Sequence, residues 1–309
     1  LVHTKEPFQR LFNQGMILAY SYRDAKGKYY HYSEVEQKDA QGSGKWTLKA
    51  TGEEVETQIE KMSKSKFNVV NPDDVIEQYG ADSLRLYELF MGPLEQVKPW
   101  QMDGVEGVHR FLGRVWRMVY QNHSVLRDVE AFTGSHDQIQ NAEAKKLRTK
   151  THQTIRKVTG DLEPHMRFNT AISAMMELVN EIYTFRVELH DESSRKVLRE
   201  TVEMLLKILA PFAPHLCEEA WEELGQKTLI AEAVWPRFDP AAVELDTMTI
   251  VVQVNGKLRA NFMVSKTIEA DELKVMAEKD PKVASYLAGK EIVKTVYVSG
   301  KLINFVVKP

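Results

Sequence analysis

The stretch Lys61-Met62-Ser63-Lys64-Ser65 packs two ammonium groups and two hydroxyls into five residues, with Lys66 straight after. Such a loop holds the parts that grip a polyphosphate: point charges for the oxygens, short hydroxyl donors and free backbone N–H groups. Chance occurrence of this string in a chain of 309 residues is on the order of one in ten thousand. A solvated basic loop is the plain alternative, and five residues alone do not choose between the two. The flanks say more. Asn71 is a good N-cap, Pro72 a good first helical residue, and Asp73 and Asp74 favour the positive end of a helix dipole. A second helix is expected over Ala81–Met91, stopped by Gly92-Pro93. The loop therefore sits against two well-specified helices.

Working outward, the length implies two or three domains. The composition, 43% hydrophobic and 28% charged, is that of an ordinary globular protein. No apolar run approaches membrane-spanning length and no signal peptide opens the chain. The single cysteine, Cys217, excludes an internal disulfide and a cysteine-rich zinc site; with no secretory segment either, a reducing cytoplasm is expected. A monomer with no membrane partner is expected as well. The net charge of −3 averages unlike regions. Glu143–Lys157 holds six Lys/Arg against one acid, Glu188–Glu244 six against twelve, and Asp246–Pro309 ten against seven. Such a chain is able to present basic faces to a polyanion. Leu1 in place of an initiator Met reads as a piece of something longer.

Before the loop, Pro7–Gln14 reads as a short helix with Phe8, Leu11 and Phe12 on one face. Met16–Tyr20, Lys28–Tyr32 and Trp46–Leu48 are strand-like, broken at Lys26-Gly27, Gln41-Gly42-Ser43-Gly44 and Thr51-Gly52, so 16–60 reads as a small β insertion. Tyr29, Tyr30, Tyr32 and Trp46 either stack on bases or cover a thin sheet. After the loop, Val105, Val108, Leu112, Val115 and Val119 form a helical stripe. Arg110, Arg114 and Arg117 lie on the other side, a face that is either apt for phosphates or merely solvated. A helix over Glu143–Leu162 is expected to bury Leu147, Thr151, Ile155, Val158 and Leu162 and to expose Lys145, Arg148, His152 and Arg156. Two more helices follow Asn169 and Ser194, and a short one carries Leu216, Trp221 and Leu224. His215 and Cys217 read as structural. These make a bundle over 101–226, and 227–245 reads as a linker. From Met248 the period becomes two, with the hairpin signal Asn255-Gly256, and the pattern is a ββααββ module over 246–309. Lys257, Arg259 and Lys301 fall at or near its turns. The fold class expected is multidomain and mainly α-helical, with the β insertion, the bundle and this α+β module.

With these parts placed, the chain resembles the C-terminal portion of a bacterial-type leucyl-tRNA synthetase, a class I aminoacyl-tRNA synthetase. The residues that carry the resemblance are Glu6-Pro7-Phe8-Gln9-Arg10-Leu11-Phe12-Asn13-Gln14-Gly15-Met16, Lys61–Ser65, Asn71-Pro72-Asp73-Asp74-Val75 and Tyr79-Gly80-Ala81-Asp82. Others are Gly104-Val105-Glu106-Gly107 with Arg110-Phe111-Leu112 and Val115-Trp116, then Phe168-Asn169-Thr170-Ala171 and Pro211-Phe212-Ala213-Pro214-His215. The last is Val252-Gln253-Val254-Asn255-Gly256-Lys257-Leu258-Arg259. The resemblance implies leucine activation by ATP, with Mg2+ in the full-length parent, and transfer to tRNA(Leu). It implies ATP binding by Lys61, Met62, Ser63, Lys64 and Ser65, with Lys64 the main catalytic charge and Lys61 assisting. It places 1–15 at the end of the catalytic domain and 16–60 in the leucyl-type insertion. It puts stem-contact helices within 61–100, an anticodon-binding-type bundle at 101–226 and a tRNA-elbow domain at 246–309. Arg110, Arg114, Arg117, Lys145, Arg148, Arg156, Lys257, Arg259 and Lys301 are the tRNA-binding candidates, and no metal ligands are expected. None of the nine histidines supplies the class's His-x-Gly-His-type motif. The isolated chain is therefore expected to be inactive and to hold no cofactor tightly. Two alternatives are a free-standing tRNA-binding module and a valyl, isoleucyl or methionyl relative.

Overall fold

The computed structural model describes residues 3, 5–6, 8, 10–38, 45–163, 165–185, 191–243, 247–265, 268–298 and 300–308. Pro7, the break at 41–44, the linker end at 244–246 and Ser299 lie outside them. The chain divides into two units, 1–241 and 242–309.

In the first unit, β1 (Ile17–Arg23) pairs with β2 (Tyr29–Tyr30) on one side. The chain then leaves the sheet. His31 and Glu34 form a capping box around a 3-10 turn at Tyr32–Glu34, so the strand expected through Tyr32 stops at Tyr30. Short strands β3 (Val35–Gln37) and β4 (Trp46–Leu48) lead to β5 (Glu54–Lys61), which returns antiparallel to β1 from Arg23↔Glu56 to Leu18↔Lys61. The sheet order is β2-β1-β5-β4-β3. Tyr22, Val35, Leu48 and Val55 form its small core with Tyr30 and Trp46 packed against it, so those two aromatics cover the sheet. The short helix expected from Pro7 is absent over described residues 10–14. Phe8 and Leu11 are 78% and 83% exposed. A short helix draws its stability from burying a face, and here Phe8 and Leu11 of that face stay exposed.

Helices α1 (Pro72–Tyr79) and α2 (Ala81–Phe90) follow the loop. A two-residue strand, β6 (Lys98–Pro99), then pairs parallel to the start of β1. Next come α3 (Met102–Gln121), α4 (His123–Leu126), α5 (Ala142–Leu162), α6 (Phe168–Thr184), α7 (Glu192–Leu209) and α8 (Pro214–Glu223). One apolar core runs through them, including Leu86, Val108, Val115, Leu147, Met175, Leu178, Leu205 and Phe212. Gly104 allows α3 to close on α2: a Cβ there would lie 2.3 Å from the Tyr87 ring. Asp82 of α2 caps α8 from 134 residues away, accepting the Leu216 N–H at 2.7 Å, while its Oδ1 meets His215 Nδ1 at 2.8 Å. The same Oδ1 also accepts the His215 N–H at 3.4 Å, so two orphan groups of a helix N-terminus are served by a distant carboxylate. Cys217 is buried beneath, and burial pushes its thiol up, with Asp82 and Glu218 adding to the effect.

A buried polar network crosses the bundle. Arg148 is 5% exposed. It donates to Glu200 at 3.0 Å and to Asp239 at 2.9 Å. His152 Nδ1 accepts the Asp239 N–H at 3.1 Å, and its Nε2 lies 3.1 Å from Glu200. Arg148 and His152 were expected on an exposed face, but their helix is covered on that side by α7 and by the segment carrying Asp239. That segment, expected as a linker, is laid on the bundle: Ile230 is buried, and Trp235 donates to Thr159 Oγ1 at 2.9 Å. It ends in α9 (Pro240–Val243).

The second unit runs β7 (Thr247–Val254), β8 (Lys257–Ser265), α10 (Ala270–Lys279), α11 (Pro281–Leu287), β9 (Glu291–Val298) and β10 (Leu302–Lys308). Its sheet order is β8-β7-β10-β9, with β7 and β10 parallel at the centre. Alternate residues Ile250, Val252, Val254, Ile303, Phe305 and Val307 are buried with Leu273, Ala277 and Val283 of the helices. Asn255 takes φ 50° in the hairpin turn, and its side chain bonds both the N–H and the carbonyl of Val307.

Burial opposes the charge on Asp239, but hydrogen bonds from Arg148 and the Ala241 N–H, with the Arg148 and His152 charges, hold its carboxyl below the usual range. A depressed carboxylate stabilises the fold above its unfolded pKa and loses that contribution as pH falls through the folded value. Asp239→Ala is therefore expected to cost roughly 1–3 kcal/mol at neutral pH. Urea unfolding should show the gap between the two proteins narrowing below about pH 4.

Candidate functional site

The β1–β5 ladder delivers Lys61 to the edge of the sheet, opposite Leu18. Met62 then packs on the helical core. Ser63 is extended, Lys64–Lys66 form a single 3-10 turn, and Phe67 closes it in the left-handed region at φ 53°, ψ 27°. The turn is fastened from inside. The Lys66 N–H donates to the Ser63 carbonyl at 3.0 Å, and the Ser63 N–H donates to Asn68 Oδ1 at 2.8 Å. The Ser63 and Ser65 hydroxyls meet at 2.9 Å. Asn71 then caps α1, its side chain accepting the Asp73 N–H at 3.3 Å.

Within this loop the three lysines are not equivalent. Lys61 and Lys64 are exposed, and no ion pair engages them among the described residues. Lys66 turns back onto the sheet, pairs with Glu60 and lies 5.7 Å from the Tyr29 ring centroid. Two ammonium groups therefore stand clear on a braced turn, an arrangement that supplies charge to an anion without first breaking a salt bridge.

A second positive surface lies on α3. Arg110 and Arg117 are exposed, and Arg114 stacks over Tyr183 of α6 at 4.7 Å. The Tyr183 hydroxyl donates to the Arg114 carbonyl at 2.9 Å. Among the described residues no acid pairs with these three arginines. Tyr183, grouped in the sequence with the apolar side of its helix, is 44% exposed and joins this face. Periodicity could not place it, because tyrosine serves either side of a helix.

The basic run on α5 behaves differently. Lys146 meets Glu181 at 2.6 Å and Lys150 meets Glu177 at 2.6 Å, both acids on the neighbouring α6. Lys157 pairs with Asp161, Lys145 lies 3.9 Å from Asp137, and Arg148 is buried. The hydrogen bond and charge of Glu181 raise the pKa of Lys146. Arg156 remains exposed. The expected basic face at Lys145, Arg148 and Arg156 is thus largely neutralised, because a segment's charge count omits what the next helix places against it.

In the second unit, Lys257 and Lys301 are exposed at opposite turns. Arg259 lies 3.7 Å over the Tyr286 ring, with its Nε buried. It packs on α11 and does not project from the turn.

A left-handed phenylalanine costs roughly 1–2 kcal/mol of backbone strain. Phe67→Gly removes that strain but adds about 0.5–1 kcal/mol of unfolded-chain entropy, so stability should move by less than about 1 kcal/mol. Phe67→Ile, β-branched at the same φ, should unfold at clearly lower urea.

Comparison with known proteins follows this geometry. Residues 49–98 match the family described as tRNA synthetases class I (I, L, M and V), and 144–275 match the anticodon-binding domain of tRNA ligase. The chain is 47% identical over 308 residues to leucine–tRNA ligase 1 of Rhizobium johnstonii, covering 100% of this chain and 34% of that protein. It is 44% identical to the leucine–tRNA ligase of Hydrogenovibrio crunogenus, and 40% identical to that of Fusobacterium nucleatum, covering 35% of each. The chain thus spans about a third of the length of the curated relatives it matches. The crystal structure of a ternary complex of Agrobacterium radiobacter K84 agnB2 LeuRS, tRNA and LeuAMS superposes with TM-score 0.68 at 29% identity, over 99% of this chain and 34% of that one.

Proposed function

We propose that the chain belongs to the leucyl-tRNA synthetase family and is the C-terminal portion of an enzyme that activates leucine with ATP and transfers it to tRNA(Leu). The observation that carries this reading is the 61–65 turn: Lys61 and Lys64 stand exposed and without ion-pair partners among the described residues, on a turn braced by Asn68 and by capped α1. In the first step the leucine carboxylate attacks the α-phosphate and pyrophosphate leaves. Negative charge then shifts onto the leaving oxygens, and Lys64, assisted by Lys61 and the Ser63 and Ser65 hydroxyls, lies in a loop suited to meet it. The work is positioning and charge, with no covalent role for the loop. Magnesium enters this reading only as the counter-ion of ATP; among the described residues no group of three or more His, Cys, Asp or Glu stands together.

The remaining parts serve the tRNA. The α3 face of Arg110, Arg114, Arg117 and Tyr183 is the phosphate-contacting surface of an anticodon-binding-type bundle, and Arg156 extends the candidates onto α5. In this reading residues 1–15 close the catalytic domain, 16–60 are the leucyl-type insertion, and α1 and α2 are stem-contact helices. The 246–309 module reaches the tRNA elbow through Lys257 and Lys301. In this reading the protein acts as a cytoplasmic monomer. No helix among the described residues is long and apolar enough to cross a membrane. A free-standing tRNA-binding module has less support, since it gives Lys61 and Lys64 no task.

In the full-length enzyme, Lys64→Ala should lower leucine-dependent ATP–pyrophosphate exchange by at least about 100-fold, with tRNA affinity nearly unchanged. Unaltered exchange kinetics would refute the role. Charge reversal at Arg110 and Arg114 should weaken tRNA binding and flatten log Kd against log salt by about two contacts' worth. An unmoved slope would reduce this face to a solvated one.

A further inference from the structure

Glu60 stands one residue before the exposed lysine that begins the loop. Successive strand residues alternate faces, so Glu60 points away from the side taken by Lys61. It is a collecting point for donors. Its Oε1 accepts the Ser21 hydroxyl at 2.6 Å and lies 3.3 Å from the Tyr29 hydroxyl, while its Oε2 receives the Lys66 ammonium. Ser21 is buried in β1, and the Glu60 and Lys66 side chains are only 19% and 29% exposed. The Tyr29 ring lies beneath the Lys66 ammonium, so ring and carboxylate hold it together.

We propose that Glu60 is the positioning residue of the 61–65 loop: its carboxylate withdraws Lys66 from the phosphate-facing set and ties the end of the turn to β1 and β2. This rests on the reading of that loop as the grip on ATP phosphates. The chain leaves the sheet at Lys61 and is brought back to it at Lys66, so residues 61–65 form a lasso closed at its base. Within it, the Ser63–Lys66 and Ser63–Asn68 bonds set the turn. Closing the base limits where the Lys64 ammonium travels, which is the entropy that a positioned charge must shed before the transition state. A competing picture makes Lys66 a third phosphate ligand that Glu60 restrains until ATP arrives. The two pictures differ in sign. Freeing Lys66 disorders the grip in the first and strengthens it in the second.

The test uses the full-length enzyme, with leucine-dependent ATP–pyrophosphate exchange read as kcat and KM for each substrate. Glu60→Gln keeps an acceptor for Ser21 and Tyr29 but loses the charge. Lys66→Met leaves the Glu60 contacts to the sheet in place and guards against a folding defect in the first variant. Each should lower kcat about tenfold while KM for leucine stays within about twofold. Unchanged kcat in both single variants, or a lower KM for ATP in Glu60→Gln, overturns the positioning role. Lys64→Ala, run alongside, separates the failures. If it abolishes exchange while Glu60→Gln and Lys66→Met do nothing, only Glu60 loses its role. If it too leaves exchange intact, the phosphate reading of the loop falls and takes this inference with it.

Discussion

The hydrogen-bond ladder between β1 and β5 decides where the chain leaves the sheet, and the loop inherits its geometry from that register. With Leu18 opposite Lys61 and Ala19 opposite Glu60, one side chain is thrown outward and the other inward. A slip of one residue would exchange them, because strand side chains alternate with period two. Met62 is then drawn onto the helical core, so the same few residues join a sheet to a bundle. The bundle is in turn closed by Asp82, whose carboxylate caps α8 and so ties the helix pair behind the loop to a helix 134 residues further along the chain. A loop asked to present two ammonium groups accurately needs such a base, since an unsupported one would spend its binding energy on becoming ordered.

Charge in this chain is partitioned by pairing. The lysines of α5 face the acids of α6, and each such exposed pair contributes only about 0–1 kcal/mol to stability. Their larger effect is on partners: a lysine already opposite Glu177 or Glu181 has little left to offer a phosphate. The arginines of α3 have no such neighbours among the described residues, and Arg114 is braced by an aromatic ring that leaves its charge intact. Buried Arg148 is a third case. Its charge is spent on Glu200 and Asp239, which fastens the 230–241 segment to the bundle. Net charge along the sequence points to α5 as the basic surface, whereas pairing in space points to α3.

Much of the architecture was legible beforehand, for reasons that differ between elements. The α3 stripe from Val105 to Val119 and the alternation Ile250-Val252-Val254 each place apolar residues at the period of their own element, so burial follows pattern. Asn255-Gly256 announces its turn because few residue pairs tolerate two positive φ values. β5 escaped notice: Glu54–Lys61 has only Val55 buried, and its strand is held by backbone bonds to β1, which leave no hydrophobic signature. The reverse failure is Phe8 and Leu11, a pattern fit for a helix with no surface here to cover.

By itself, the sequence determined the parts that depend on local chemistry: the capped helix after the loop, the hairpin, the apolar faces and the lysine–serine string itself. What only tertiary structure decided is which charges are spent. Lys61, Lys64 and Lys66 look alike in a string, and so do Arg114 and Arg148 on their helices. Their difference arises from neighbours in space, Tyr29 and Glu60 beside Lys66, Glu200 and Asp239 beside Arg148, and Tyr183 beneath Arg114, most of them far away in sequence. An ionic side chain's availability is set by its neighbours in space, and over such separations those neighbours are chosen by packing.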